Sequence, residues 1–253
     1  MNHATAKKSL SKVPALTLVF WIIKIAATTL GETAGDAVSM SMNLGSLLST
    51  AIFAALFLIA VIVQVKTPRF NPFIYWTTII ATTTVGTTLA DFSTRSLGIG
   101  YTGGSTLLLV LLLGSLALWH RTEGSVSIDT VSSPKVEMFY WVTIMFSQTL
   151  GTVLGDWTAD TAGFGYGGAA AIFGISLALV AGLYFWTRIS RVALFWAAFI
   201  LTRPLGAVVG DFLDKPLESG GLALSRYSAS AVLMVFILVC LLTFHQRPAE
   251  KAH

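Results

Sequence analysis

Eight long apolar stretches follow one another along the chain, separated by short segments rich in Gly, Ser or charged residues. Each is close to the ~20 residues that an α-helix needs to cross a bilayer. The pattern predicts an all-α membrane protein with eight transmembrane helices, paired as four αα-hairpins. Four stretches carry polar positions and cover residues 14–36, 71–91, 137–157 and 192–212. Their almost uniformly apolar partners cover residues 46–65, 102–120, 168–187 and 228–245.

The four stretches with polar positions share one motif. An aromatic residue followed by Trp comes first, a Gly follows ten residues after the Trp, a small residue comes four later, and an Asp is next. The motif aspartates are Asp36, Asp91, Asp156 and Asp211. The first and third are as far apart as the second and fourth, which indicates duplication of a two-repeat unit. We predict two halves, residues 1–120 and 137–253, joined by a cytoplasmic linker at residues 121–136.

Composition agrees with a protein that lies mostly in lipid. Hydrophobic residues make up 55% and charged residues 11% of the chain, and the mean hydropathy is +0.76. Soluble domains have roughly 25% charged residues. The pI is near 9.3, but the basic residues lie in short loops and tails, so we expect no nucleic-acid partner. The first stretch recurs as a repeat and is expected to be a span, not a cleaved signal peptide.

Basic residues concentrate in the two tails and in the loops between repeats. The positive-inside rule then places both termini in the cytoplasm and the motif aspartates toward the outside. Every repeat contains two spans, so all four share one orientation. This predicts parallel pseudo-symmetry about the membrane normal, in a multi-pass protein of the bacterial inner membrane.

Small residues at fixed spacing let helices approach closely in a membrane. The motif therefore predicts that the four motif helices pack together in the centre, with their partners outside against lipid. The aromatic pairs are expected to anchor the helices at the membrane interface. The packing positions are Gly31, Gly35, Gly86, Ala90, Gly151, Gly155, Gly206 and Gly210.

A polar stripe runs along one face of each motif helix. Residues four apart share a face, and each Asp comes four residues after Glu32, Thr87, Thr152 or Ala207. The same face continues back through Thr28, Thr83, Gln148 and Arg203. A charged side chain inside a span costs a few kcal/mol, and the chain keeps an Asp at four equivalent positions. We expect four carboxylates close to a common axis.

Oxygen ligands of this kind suit a hard divalent cation such as Mn²⁺, Mg²⁺ or Ca²⁺. The predicted metal ligands are Asp36, Asp91, Asp156, Asp211 and Glu32. Crowded carboxylates favour protonation of some of them near neutral pH, which suits exchange of a cation for protons. The expected substrate path includes Thr28, Thr87, Thr152, Gln148, Arg203 and Lys24. We expect no tightly bound cofactor, only a transported cation and protons.

Alternatives remain open at this stage. The aspartates could simply end or cap helices, and Lys24 could extend to the cytoplasmic edge. Arg203 could pair with a carboxylate of the cluster, or could bind an anionic solute in a proton-coupled carrier. A third hypothesis is a membrane scaffold that transports nothing. An enzyme is not expected, since no nucleophile–base constellation is recognisable. Oligomeric state is left open.

The whole chain resembles a family of uncharacterised bacterial integral membrane proteins built from four hydrophobic repeats. A second resemblance is local: Glu32-Thr33-Ala34-Gly35-Asp36 is similar to the Glu-x-Gly-Asp motif of manganese and calcium cation/proton exchangers, with one additional residue after the Glu. That resemblance implies export of a metal cation against protons, with Glu32 and Asp36 in the cation site.

Overall fold

A computed structural model describes residues 11–250 of the chain. Eight long helices confirm the predicted number of helices, and their bounds agree with the apolar stretches to within a few residues. Within residues 11–250 there is no strand, and the sole β-type pairing is an isolated bridge between Pro14 and Pro248. The helices are α1 Leu18–Asp36, α2 Gly45–Lys66, α3 Pro72–Asp91, α4 Gly100–Glu123, α5 Pro134–Asp156, α6 Gly165–Trp186, α7 Arg191–Asp214 and α8 Arg226–Thr243.

The four motif helices α1, α3, α5 and α7 begin in a similar way. Each follows a residue whose side-chain oxygen accepts a backbone N–H of the first turn: Thr17, Asn71, Ser133 and Ser190. Such caps satisfy amide groups that have no partner within the helix. Proline at the first position of α3 and α5 reinforces the start, because its ring already has the helical φ angle.

Six helices are long and apolar enough to cross a membrane: α1, α2, α4, α6, α7 and α8. The motif helices α3 and α5 carry more polar side chains, seven threonines in α3 for example, which lowers their hydropathy. Both are packed among other helices, so their polar residues are covered by protein. The chain is therefore a helical membrane protein with internal repeats.

The motif helices form a closed ring. Within it α1 packs against α3, α3 against α5, α5 against α7, and α7 against α1. The helices of the first predicted half thus contact those of the second at both junctions. The four remaining helices lie outside the ring and expose most of their apolar side chains, as expected of lipid-facing elements.

The outer helices do not pack as the predicted hairpins. Each one packs chiefly on the motif helix of the following repeat: α2 on α3, α4 on α5, α6 on α7, and α8 on α1. The turn inside each repeat is long enough to swing the outer helix across to the next motif helix. The hairpin pairing predicted from the sequence is wrong in this respect, and the repeats interlock instead of standing side by side.

The aromatic pairs were expected at the membrane interface, and this expectation is wrong for seven of the eight rings, which are buried. The first member of each pair, Phe20, Tyr75, Tyr140 or Phe195, is at most 5% exposed, and we call these four the aromatic layer. Tyr75 and Tyr140 share a hydrogen bond of 2.6 Å between their hydroxyl oxygens. The rings pack edge to face and tilted against each other, which favours an inward orientation over contact with lipid headgroups.

Both ends of the described chain lie beside the aromatic layer. The Lys12 amide donates to Val131 O at 2.8 Å, and Pro14 pairs with Pro248. The connection between α4 and α5 is residues 124–133, shorter than the predicted linker, and it contains a short 3₁₀ helix. Trp196 Nε1 donates to Val126 O at 3.0 Å, so this connection is tied to the ring.

Candidate functional site

The axis of the ring is built from layers of side chains, one from each motif helix. Successive layers are four residues apart, about 6 Å along a helix. After the aromatic layer comes Lys24, Ile79, Ile144 and Phe199, then Thr28, Thr83, Gln148 and Arg203. Next come Glu32, Thr87, Thr152 and Ala207, and last Asp36, Asp91, Asp156 and Asp211. All sixteen side chains are buried, so the predicted polar stripe faces the interior.

Glycines make these layers possible. A Cβ on any of the four motif glycines would collide with, or press closely on, a side chain of the next helix in the ring. The contacts are Gly31 with Thr83, Gly86 with Gln148, Gly151 with Arg203, and Gly206 with Thr28. Each glycine therefore lies against an axial side chain of the next motif helix, and the same contact repeats at all four junctions of the ring.

Arg203 lies at the centre of the ring and contacts the other three motif helices. Its Nη2 donates to Glu32 Oε2 at 3.0 Å, to Thr87 Oγ1 at 2.6 Å and to Thr152 Oγ1 at 2.5 Å. Its Nη1 donates to Thr28 O at 3.3 Å. The guanidinium thus occupies the axis between the aspartates and the aromatic layer. An ion moving along the axis would have to pass it.

A lysine just after α7 bridges two of the motif aspartates. Lys215 Nζ lies 2.7 Å from Asp36 Oδ2 and 3.0 Å from Asp211 Oδ1. Burial disfavours the charged amine, but the Asp211 and Asp36 carboxylates outweigh it and raise the pKa of Lys215 above its usual value. Arg226 extends the network, with Nε 2.9 Å from Asp214 Oδ2 and Nη2 3.9 Å from Asp36 Oδ2.

An arginine just after α3 bridges the other two motif aspartates. Arg95 Nη1 lies 3.2 Å from Asp91 Oδ1, and its Nη2 lies 3.5 Å from Asp156 Oδ2. The Arg95 side chain is 44% exposed, so this ion-paired cluster reaches the surface of the bundle. A cleft of about 220 Å³ next to it is lined by Asp91, Arg95, Ser39 and Ser46 among others.

Three of the five predicted metal ligands come close together. Glu32, Asp36 and Asp211 each offer a carboxylate oxygen, and these oxygens lie within 4.8 Å of one another. All three residues are buried. The remaining two, Asp91 and Asp156, are held by Arg95. The structure therefore divides the predicted ligand set into a group of three and a pair.

The helical path continues past the motif aspartates, although α1, α3 and α5 end at them as α-helices. In the first three repeats, five residues of π-helix follow the Asp: Ala37–Ser41, Phe92–Ser96 and Trp157–Thr161. Asp36, Asp91 and Asp156 make no capping hydrogen bond to these segments. π-Helical turns occur frequently at functional sites, and here they continue the helical path beyond each of the three carboxylates.

Lys24 does not reach the cytoplasmic edge, so that interpretation is wrong. The side chain is fully buried, and its Nζ lies 4.2 Å above the centre of the Phe199 ring. Among residues 11–250, Lys24 Nζ has no hydrogen-bond partner, and neither do the two amide atoms of Gln148 or the Nε of Arg203. The side chain stays inside because α7 covers it, which a single helix pattern does not reveal.

Sequence reasoning missed Arg95 and Lys215. Each follows a motif aspartate by four residues, a spacing that places both side chains on one helix face. The two basic residues also occupy equivalent positions in the two halves, and this regularity could have identified them. Met40 and Asp160 occupy the equivalent positions in the first and third repeats.

Comparison with known proteins identifies a family whose function is unknown. The family model described as "Repeat of Unknown Function (DUF347)" matches four consecutive segments: residues 19–70, 74–125, 139–190 and 194–247. No curated protein and no solved structure matches the chain. The match confirms the resemblance to an uncharacterised four-repeat family, while the local likeness of Glu32-Thr33-Ala34-Gly35-Asp36 to cation/proton exchangers stays a prediction.

Proposed function

The chain belongs to the DUF347 family of four-repeat proteins, and we propose that it is a secondary transporter of the bacterial inner membrane. It would export a hard divalent cation, with Mn²⁺ as the favoured cargo, in exchange for protons. The observation that carries this proposal is the group of three buried carboxylates, Glu32, Asp36 and Asp211, whose oxygens lie within 4.8 Å of one another inside a helical membrane bundle. The bundle holds little protein outside its helices, so we propose a carrier, not an enzyme.

The ligand chemistry supports a hard cation. Three carboxylates at this spacing supply only oxygen donors, which Mn²⁺, Mg²⁺ and Ca²⁺ prefer. Softer metals prefer imidazole or thiolate, and the layers of the axis contain neither His nor Cys. Thr87 Oγ1, which lies 3.2 Å from Glu32 Oε2, would be a further oxygen at this site.

The charge of the ion-paired network supports a specific exchange. Salt bridges within the described residues connect six acidic side chains with four basic ones at this end of the axis, in three separate groups. With every side chain ionised the three groups together carry a charge of −2, which one divalent cation or two protons would neutralise. We therefore expect an electroneutral exchange of two protons for one cation. The groups are Glu32, Asp36, Asp91, Asp156, Asp211 and Asp214 with Arg203, Arg95, Lys215 and Arg226.

The Lys215 side chain occupies the proposed metal site when no metal is bound. Its ammonium lies between Asp36 and Asp211, where a metal ion would bind. The residue is the first after α7 and is 15% exposed, so its side chain can withdraw toward the surface when an ion arrives. A tethered cation of this kind would keep the empty carrier from holding several unpaired buried carboxylates, which are costly.

The two ends of the axis differ, as alternating access requires. Arg95 and Lys215 at the aspartate end are partly exposed, whereas the rings of the aromatic layer close the other end. We propose that the chain ends beside the aromatic layer face the cytoplasm, in line with the positive-inside rule. The repeats would then run parallel about the membrane normal, and this conformation would be the outward-facing one.

A carrier of a small anionic solute is the second candidate, and Arg203 was its predicted anchor. The guanidinium already donates to Glu32, Thr87 and Thr152, so an anion would have to replace these protein contacts. The divalent cation therefore remains the first proposal. A scaffold that transports nothing is the third possibility, and the same experiment separates it from both carriers.

Flux in reconstituted vesicles tests the proposal. Vesicles would contain an indicator for Mn²⁺ and a pH dye, with the wild type compared with Asp36→Asn and Asp156→Asn. We expect Mn²⁺ movement coupled to opposite proton movement in the wild type, at a rate unchanged by a membrane potential, and loss of both in each variant. Asp160→Asn is the matched control, because Asp160 is exposed and lies outside the network.

Three other results would each argue against the cation proposal or for one of the alternatives. A folded wild type that moves none of Mn²⁺, Mg²⁺ and Ca²⁺ would overturn the cation proposal. Proton-coupled uptake of organic anions in the same vesicles, abolished by Arg203→Ala, would support the second candidate. Absence of any flux, together with normal assembly of both Asp→Asn variants, would support the scaffold.

A further inference from the structure

A second set of buried polar groups lies between Arg203 and the aromatic layer, separate from the carboxylates. Lys24 Nζ, Arg203 Nε and both amide atoms of Gln148 have no hydrogen-bond partner within residues 11–250. All three side chains are completely buried. Buried polar groups are almost always hydrogen-bonded, so several orphaned ones in neighbouring layers indicate a missing partner.

The layers bring these groups toward one region of the axis. Lys24 belongs to the layer next to the aromatic one, and its side chain reaches across to Phe199 of α7. Gln148 belongs to the following layer, on α5, the helix opposite α1 in the ring. Side chains on a helix lean toward its N-terminus, so Gln148 leans from its own layer toward that of Lys24.

The charges of this region do not balance. Arg203 has a counter-charge in Glu32, 3.0 Å away on the aspartate side. Lys24 has none: it is in no salt bridge within residues 11–250, and its nearest favourable charge contact is the face of the Phe199 ring. A buried ammonium without a counter-ion is strongly disfavoured.

We propose that Lys24, Gln148 and the Nε edge of Arg203 form a buried binding site for a small monovalent inorganic anion, of which chloride is the abundant example. The Lys24 ammonium supplies the charge, and the Gln148 amide and Arg203 Nε supply N–H donors. The anion would also supply the counter-charge that Lys24 lacks. The site shares Arg203 with the Glu32 ion pair but uses none of the carboxylates, so anion binding can be measured without any divalent cation.

Bromide binding tests this site directly. Bromide is a chloride analogue that quenches tryptophan fluorescence, and Trp76, Trp141 and Trp196 are buried close to the Lys24 layer. Purified protein would be titrated with bromide at constant ionic strength, with gluconate as the replacement anion. We expect saturable quenching in the wild type and in Lys24→Arg, and at least a tenfold loss of affinity in Lys24→Met. Chloride should compete with bromide.

Two further variants keep the test decisive. Lys66→Met removes an exposed lysine at the end of α2 and should leave the titration unchanged. If Lys24→Met does not fold, Gln148→Leu should weaken saturable quenching while the fold is retained. Quenching that is linear and equal in wild type and variants would overturn the proposal. It would mean that Lys24 is an uncharged amine packed on Phe199, with no anion beside it.

Discussion

At the scale of single residues, the ring depends on glycines, because they lack the Cβ that would keep the helices apart. In a bilayer there is no hydrophobic force between helices, so close contact has to come from shape. Each motif glycine provides that contact and also leaves space for a polar side chain of the next helix. The glycines therefore determine both the distance between helices and the position of the groups on the axis.

Adding a Cβ at one of these glycines should lower the stability of the protein, whereas adding a Cβ at a glycine in open space should not. In Gly206→Ala the new methyl group meets the Thr28 side chain and backbone, so we expect a loss of about 1–3 kcal/mol of stability. Gly114→Ala is the matched control, since Gly114 lies in α4 with nothing near its Cβ position. It should be neutral or stabilise by up to about 1 kcal/mol. Unfolding in mixed detergent micelles measures both, and equal stabilities would contradict the ring contact.

Glu32 and Arg203 should behave as a unit. Arg203→Met leaves the Glu32 carboxylate buried without its partner, and we expect a loss of about 3–5 kcal/mol of stability. Adding Glu32→Gln in the same chain removes the uncompensated charge and should restore a substantial part of that loss. A double-mutant cycle measures the coupling. If the double variant is no more stable than Arg203→Met, the pair is not the reason for the loss.

Residues of the site could be predicted from the sequence only in part. The axial positions Glu32, Asp36 and Arg203 follow from helical spacing, because a period of four residues is a local property. The buried state of Lys24 could not be predicted, because it depends on Phe199 of a distant helix. Arg95 could have been predicted from its spacing after Asp91, but charges in exposed loops are so common that this spacing alone does not distinguish it.

At the scale of elements, the segments just after the aspartates shape the aspartate end of the axis. The π-helical turns extend three motif helices past their carboxylates, and in the fourth repeat Lys215 follows α7 directly. The bounds of these helices were predictable, because a hydrophobic stretch and its capping residues are local signals. Their packing partners were not, since the turn inside each repeat is long enough for the next helix to lie beside either of two neighbours.

Lys215 should compete with the transported cation. In Lys215→Gln the tethered ammonium is gone, so we expect Mn²⁺ to bind at least several-fold more tightly, while transport slows because the ion is released less readily. The pKa of Lys215 is raised above the usual lysine value of about 10.4. The side chain therefore stays protonated, and competes with the cation, throughout the neutral pH range. The pH dependence of transport would therefore come from the acidic groups alone.

Binding and flux measured on the same preparations separate the possible results. Lys66→Gln is the control lysine, as it lies far along the chain at the exposed end of α2. Unchanged Mn²⁺ affinity in Lys215→Gln would contradict the competition. Loss of Mn²⁺ binding in that variant would instead mean that Lys215 supports the site, for example by holding Asp36 and Asp211 in place.

At the scale of the whole molecule, the two halves are parts of one closed ring. Contacts between α3 and α5, between α4 and α5, and between α1 and both α7 and α8 cross from one half to the other. The duplication visible in the sequence thus records how the chain arose, whereas the folded unit is the complete set of eight helices. The sequence shows the repeats clearly but contains no direct signal for how their helices close into a ring.

Splitting the chain within residues 124–133 tests this closure. We expect residues 1–123 and 134–253 to be degraded or aggregated when each is expressed alone, because each leaves the polar axis open to lipid. Expressed together they should copurify and show the thermal stability of a nearly intact protein. A split within α4, after Gly114, is the control and should not reassemble. Independent folding of either half would contradict the closed ring.

The crossing of each outer helix to the following repeat also decides the order in which the protein can be completed. The helix that covers the outer side of α1 is α8, which leaves the ribosome after the other seven, and α7 reaches α1 only shortly before. During most of synthesis, α1 therefore lies in the membrane with Lys24 and Glu32 lacking their final neighbours. We expect nascent chains to depend on the insertion machinery to shelter this first helix, and to be most vulnerable to proteolysis until the eighth has joined it.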